Sequence, residues 1–305
     1  MVNGLALSTS KKYSAAQGVF ARFCLDLGVA PVPCDSHSLL KFIAWLKRLK
    51  NLGPEAIRGY LAAVRHLHSI NGYEFKGDAD PRVKLARRAA NKRVSPKDGR
   101  LPITRDILSR LAEAGQVRDG FGSRLFLAAA TLGYAGWLRI SEICGGAGGG
   151  GPVGLRGRSL IVKGNSLSLM VERGKTDKAR EGVEIGVLAG RGAICPIKAL
   201  LRYLEVRPGA PSADGFLLVR EDCRRMDQAW FRAELQTRCK EAGLGAGFNT
   251  HSLRIGAATD AGRGGMPSYL IKLRGRWRSD AFLSYVRPSC SQLAEVAARG
   301  SQGPV

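Results

Sequence analysis

Apolar residues along much of the chain recur at intervals of three and four, the spacing that lines one face of a helix. From Ser10 to Leu27 the set Tyr13, Ala16, Phe20, Phe23 and Leu27 keeps this interval and predicts a first helix. Ser36 suits the N-cap of a second, which carries Leu39, Leu40, Ile43 and Leu46 and ends in Lys47, Arg48 and Lys50, where cations favour the helix dipole. Pro54 fits the first turn of a third, with Ile57, Leu61, Val64 and Leu67 inward and Arg58 and Arg65 on the other side. These helices predict a small bundle over residues 1–92. Between Arg82 and Arg100 eight basic residues face one acid, Asp98, and Ser95-Pro96-Lys97-Asp98-Gly99 interrupts any helix. The run reads as a basic interdomain linker, bounded at 93–103.

Thr104 caps a helix over Arg105–Ala114, which opens a second domain at 104–305. An apolar helix over Gly122–Leu138 and the segment Arg139–Cys144 follow. Gly145–Gly151 holds six glycines and one alanine, a low-complexity loop whose backbone carries no binding code. Alternation then predicts three short strands, Ser159–Lys163, Ser166–Glu172 and Val183–Leu188, parted by Gly164-Asn165 and the polar Arg173–Gly182. Helical spacing returns at Pro196–Val206, Asp227–Ala242, Thr250–Gly262, Pro267–Leu273 and Ser279–Val286. The fold class expected is mainly α, with a small antiparallel β-sheet in the C-terminal domain.

Composition narrows the partner classes. With 305 residues, 45% hydrophobic and 24% charged, the chain has the makings of a packed core rather than of a disordered one. Its longest uncharged stretch, Leu125–Leu138, falls short of the ~20 residues a bilayer demands, so no membrane span is expected. No secretory signal is visible in Met1 to Tyr13. Seven cysteines, an odd number without a CxxC pair, argue against a disulfide framework and against zinc. The formal charge is +23, of which residues 1–100 carry +11 and the remainder +12, so the excess belongs to no single tail. Such a field attracts polyanions, nucleic acid first among them, although a membrane surface or ribosomal RNA would use the same charge. A nuclear-import signal is a second reading of the 82–100 run. Nucleotide hydrolysis lacks support, because Lys175-Thr176 has Leu169 where a phosphate-cradling loop requires its first glycine.

Four segments offer chemistry. His251 and Arg254 leave one face of a helix's first turn, where anions bind, though an exposed chance pair has the same spacing. Arg139 follows the most apolar helix, where a guanidinium is hard to leave unpaired; Glu142, one turn away, could orient it, or the two form a buried ion pair that ties helices together. Lys175 sits in a turn between strands, in a reactive mouth or simply in solvent. Gly275-Arg276-Trp277 precedes Tyr285 by eight residues from the tryptophan, and tyrosines more often pack in cores.

In this order the pieces resemble the tyrosine recombinase (phage-integrase-like) family: Arg139 in LRISE, a hairpin lysine, HSLR, GRW, and Tyr285 followed by Val286-Arg287. HSLRIGAAT and GRWRSDAFLSYVRP are similar in wording to recombinases of DIRS- and Crypton-type eukaryotic mobile elements, over Asp80 to Pro288. The resemblance implies a two-domain DNA clamp whose helical N-terminal part is a SAM-like core-binding domain. It implies site-specific cleavage and rejoining of double-stranded DNA through a 3′-phosphotyrosyl link, by a homo-tetramer on paired sites, with no cofactor and no metal. On this reading Arg139 and Arg254 hold the scissile phosphate, Lys175 is the acid and Tyr285 the nucleophile. His251 and Trp277 assist, and Glu142 fills a supporting acidic position. Lys178 or the more distant Lys163 could replace Lys175, and Tyr269, read here as core, is the rival nucleophile. Lys47, Arg48, Arg58, Arg65, Arg87, Arg88, Lys92 and Arg93 are the candidate DNA-backbone contacts. An intracellular site is expected, the nucleus in a eukaryote and otherwise the cytoplasm or nucleoid. The alternatives are a type IB topoisomerase, a non-catalytic DNA-binding relative and, more distantly, an RNA-binding scaffold.

Overall fold

The structure is a computed structural model that describes residues 5, 7–48, 50–92, 100–116, 119–146, 153–172, 182–284 and 294. One compact unit holds the first four helices and a second holds the elements after them. In the first, α1 (Leu7–Leu27) lies against α3 (Pro54–Ile70), and α2 (Ser36–Arg48) lies against α4 (Pro81–Lys92). Its core joins Phe20, Phe23 and Cys24 of α1 to Leu39, Phe42, Ile43 and Leu46 of α2 and Ile57, Leu61 and Val64 of α3. The Phe20 and Phe23 rings approach Phe42 at 4.9 and 5.0 Å between centroids.

Two local details differ from the sequence reading. The cap of α2 is Asp35 rather than Ser36: its Oδ1 accepts the Ser38 N–H at 2.6 Å, a bond that holds the carboxyl below its usual range. The basic run from Arg82 is helical up to Lys92, not linker throughout. Pro81 pre-sets the first turn, Asp80 Oδ1 accepts the Arg82 N–H at 2.8 Å, and Val83 buries against the bundle, so caps and one apolar anchor outweigh like-charge repulsion.

The second unit comprises α5 (Arg105–Gln116), α6 (Phe121–Ala135), α7 (Ile140–Cys144), strands β1 (Leu160–Lys163), β2 (Ser166–Val171) and β3 (Val183–Leu188), then α8 (Pro196–Val206), α9 (Gln228–Glu241), α10 (Ser252–Arg263) and α11 (Ser268–Arg274). A 3₁₀ turn over Asp280–Ser284 stands where a last helix was expected. The strands form one antiparallel sheet in the order β1-β2-β3, with Leu169 opposite both Leu160 and Ile185. Leu167, Leu169, Val171, Ile185 and Val187 bury one face of the sheet, as period-two alternation requires. Helix α6 is apolar nearly all round and occupies the middle of the unit, packed on α8 and α10. Of the glycine run, 147–151 lies outside the described residues. Gly145 ends α7 at φ +84°, a conformation glycine takes without strain. No described helix is long and apolar enough to cross a membrane.

Helix α10 is seated by its backbone. The Ile103 N–H donates to the Ser252 carbonyl at 2.9 Å, and a Cβ on Gly256 would lie 1.8 Å from the Ile103 oxygen. Gly256→Ala is therefore expected to destabilise the protein by about 1–3 kcal/mol, as overpacking does, measured by denaturant unfolding. An unchanged midpoint would mean that the backbone at Ile103 does not press on this helix.

Candidate active site

The turn after α6 brings the first arginine inward. Trp137 takes φ +52°, and Arg139 stands at the N-cap of α7, where Glu142 reaches back to it. Glu142 Oε2 accepts the Arg139 backbone N–H at 2.9 Å, and Oε1 accepts Arg139 Nη1 at 2.7 Å. The Glu142 side chain is 0% exposed. A second guanidinium, Arg276, donates Nη2 to Oε2 at 2.9 Å and to the Trp137 carbonyl at 3.2 Å. Burial pushes the Glu142 carboxyl up. The Arg276 charge, the Arg139 N–H and the charges of Arg139 and Arg254 more than offset this, so the group stays below the usual carboxylate range.

Helix α10 delivers the His251 and Arg254 pair of the HSLR segment. Asn249 Oδ1 accepts the His251 N–H at 2.8 Å and Ser252 Oγ accepts the Asn249 N–H at 2.9 Å, which fixes the first turn. His251 is exposed at the N-cap, whereas Arg254, one turn later, is only 5% exposed. The Arg254 guanidinium lies 4.6 Å from the centre of the Trp277 ring and donates to the Gly275 carbonyl. A Cβ on Gly275 would fall 1.6 Å from the Trp277 ring, so only glycine lets the indole fold back this far. Trp277 in turn meets Trp137 and Phe282 at 6.0 and 5.8 Å.

A cleft of about 540 Å³ opens beside this cluster, lined among others by Glu142, Val171, Val183, Tyr269, Arg276 and Trp277. Three guanidiniums act on one carboxylate, which leaves an excess of two positive charges in a partly dry site. Such a site suits a phosphate, because charge-assisted bonds strengthen where water is excluded. Among the described residues no group of His, Cys, Asp and Glu side chains could hold a metal ion.

Solved structures repeat this architecture over most of the chain. The Tn1549 transposon integrase in complex with a circular intermediate DNA gives a TM-score of 0.71 at 13% identity, covering 98% of this chain and 95% of that one. A lambda integrase dimer bound to a COC' core site gives 0.64 at 17% identity, covering 95% and 92%. The chain has the tyrosine-recombinase fold. XerH bound to difH substrate in a pre-cleavage complex agrees, with a TM-score of 0.63 at 14% identity, covering 94% and 78%. No family model matches the sequence, and no curated protein does.

Within this recombinase fold, Arg139, Glu142, Arg254 and Trp277 come together, and His251 occupies the same helical turn as Arg254. Lys175, Lys178 and Tyr285 lie outside the described residues, and Lys163 is exposed on β1. Tyr269 corrects the sequence reading: it is 67% exposed and lines the cleft instead of packing in the core. Helix α11 buries only Ile271, and a residue two positions earlier points to the opposite side of a helix. In the first unit Arg48, Arg58, Arg65 and Arg88 are exposed and Lys47 and Arg87 half-buried; Arg93 and the Lys92 side chain lie outside the described residues. Sequence reasoning passed over Arg276, although a cation between a glycine and a tryptophan in a proposed site was a signal.

Proposed function

We propose that this chain is a tyrosine-type DNA recombinase that cleaves and rejoins double-stranded DNA through a covalent 3′-phosphotyrosyl intermediate. The observation that carries the reading is the convergence of Arg139 and Arg254, from separate helices, around buried Glu142 and beside Trp277. In this mechanism Tyr285 Oη attacks the scissile phosphorus, its proton passing to His251, while Arg139 and Arg254 bond the non-bridging oxygens. Negative charge grows on those oxygens as the bond to the 5′ oxygen breaks, so fixed guanidiniums favour the transition state over the ground state. Lys175 donates the proton that lets the 5′ hydroxyl leave, and reversal with a new 5′ hydroxyl rejoins a strand. The Trp277 indole N–H donates to a phosphate oxygen but does not shuttle a proton. The chemistry conserves the phosphodiester energy and calls for no cofactor.

Residues 1–92 form the core-binding part, 93–103 the linker and 104–305 the catalytic part of a clamp. The protein acts as a homo-tetramer on paired sites, and its origin is a mobile element of the DIRS or Crypton kind. The named solved structures bound to DNA support the substrate class. A duplex nicked so that the cleaved strand is trapped tests the reading: a covalent adduct supports it. Binding without any adduct overturns it in favour of a non-catalytic DNA-binding protein. Affinity for random duplex should fall by roughly three orders of magnitude between about 50 and about 200 mM salt, as counterions are released. A flat titration would contradict a backbone clamp.

A further inference from the structure

Glu142 is sealed from water, and a buried carboxylate is costly unless each oxygen is paired. Arg139 covers Oε1, within its own helical turn. The other side-chain partner comes from far along the chain: Arg276 bonds Oε2 and, with the same Nη2, the Trp137 carbonyl. Both Trp137 and Arg276 take left-handed backbone conformations, at φ +52° and +55°, which residues with a Cβ adopt rarely. Trp137 lies two residues before Arg139, and Arg276 directly precedes Trp277, the ring packed against Arg254. One guanidinium thus bridges the segment that carries the first phosphate-binding arginine to the segment that fixes the second.

Building on the recombinase reading, we infer that Arg276 is a positioning residue: by clamping Glu142 and the Trp137 carbonyl, it sets the separation at which Arg139 and Arg254 grip one phosphate. The two N–H bonds of Nη2 serve a carboxylate and a carbonyl together from the end of a rigid planar group, a geometry that an ammonium on a flexible stem does not hold. Arg276 is also the foremost cation holding the Glu142 carboxyl ionised against burial. Without it, the bond from Glu142 to Arg139 becomes sensitive to acid.

The test is single-turnover cleavage of the trapping duplex at saturating DNA, with Arg276→Gln, Arg276→Lys, Glu142→Gln and the Arg276→Gln/Glu142→Gln pair. Arg276→Gln is expected to slow cleavage by about 100-fold, the scale of a small misplacement of catalytic groups, with DNA affinity almost unchanged. Arg276→Lys should recover part of the rate. In the Glu142→Gln background, removing Arg276 should add little, because the two act as one unit. The pH profile of Arg276→Gln should gain an acid limb: the Glu142 pKa climbs, and the rate falls as pH drops through a range where the wild-type carboxyl stays ionised. Rate and affinity falling together, fully additive losses, or a wild-type pH profile in Arg276→Gln would overturn the inference. Should the wild-type protein give no adduct, the recombinase reading fails by itself. Thermal unfolding of the same proteins then decides: additive losses in Tm reject the clamp, and non-additive losses uphold it.

Discussion

Tyr285→Phe is expected to abolish the covalent protein–DNA adduct, while Tyr269→Phe retains it. Both residues carry the only functional group that can make a phosphotyrosyl bond, and removing one oxygen leaves the ring and its packing in place. The comparison matters because Tyr269 is an exposed phenol lining the cleft beside Glu142 and Trp277, which makes it a rival on position alone. Position along the chain favours Tyr285, which follows the GRW segment and a 3₁₀ turn that packs Phe282 against the Trp277 ring. A phenol with an ordinary pKa of ~10 is a poor nucleophile until a base or nearby cations favour its oxyanion, the part that the proposed mechanism gives to His251 and the guanidinium cluster. Denaturing gels of labelled duplex would read the adduct directly. Loss in Tyr269→Phe with retention in Tyr285→Phe would reverse the assignment.

Arg254→Ala is expected to slow strand cleavage by about 10²–10³-fold, the effect of removing one preorganised donor from a transition-state oxyanion. DNA affinity should change little, since many other cations neutralise the backbone. The reason for a large effect is structural. Arg254 is buried, bonded to the Gly275 carbonyl and packed on Trp277, so its guanidinium is oriented before substrate arrives. Arg254→Lys keeps the charge without the planar fork and should remain strongly impaired. Stopped-flow or quench measurements at saturating duplex separate the two quantities, and thermal unfolding shows whether each variant is folded. Equal losses in rate and affinity would assign Arg254 to binding alone.

Much of the architecture was legible because it follows local rules. Period-three and period-four spacing located α1, α2, α3, α8, α9 and α10 to within a few residues, and alternation located the three strands. Local errors came where two neighbours competed for one role. Asp35 and Ser36 are both good caps, and the bond to Ser38 selects Asp35. The run after Arg82 read as linker because Ser95-Pro96-Lys97-Asp98-Gly99 interrupts any helix, yet a proline, an aspartate and one buried valine start a helix ahead of that break. Tyr269 looked like core because its neighbours are apolar. Apolar character does not say which side of a seven-residue helix meets the interior, and α11 leaves Leu273 exposed as well.

The sequence by itself determined the helical and strand pattern, the basic excess, and the residue types at Arg139, Glu142, His251, Arg254 and Trp277, because spacing and composition are properties of a chain before it folds. Only the tertiary structure decided that Glu142 is sealed from water, that Arg254 lies against Trp277, and that Arg276 turns back to the first arginine's segment. Those facts depend on backbone turns at Trp137, Gly275 and Arg276 and on contacts between residues from 23 to 139 positions apart. No local pattern encodes such contacts, since they follow from how helices pack and which polar atoms must find partners once water is gone.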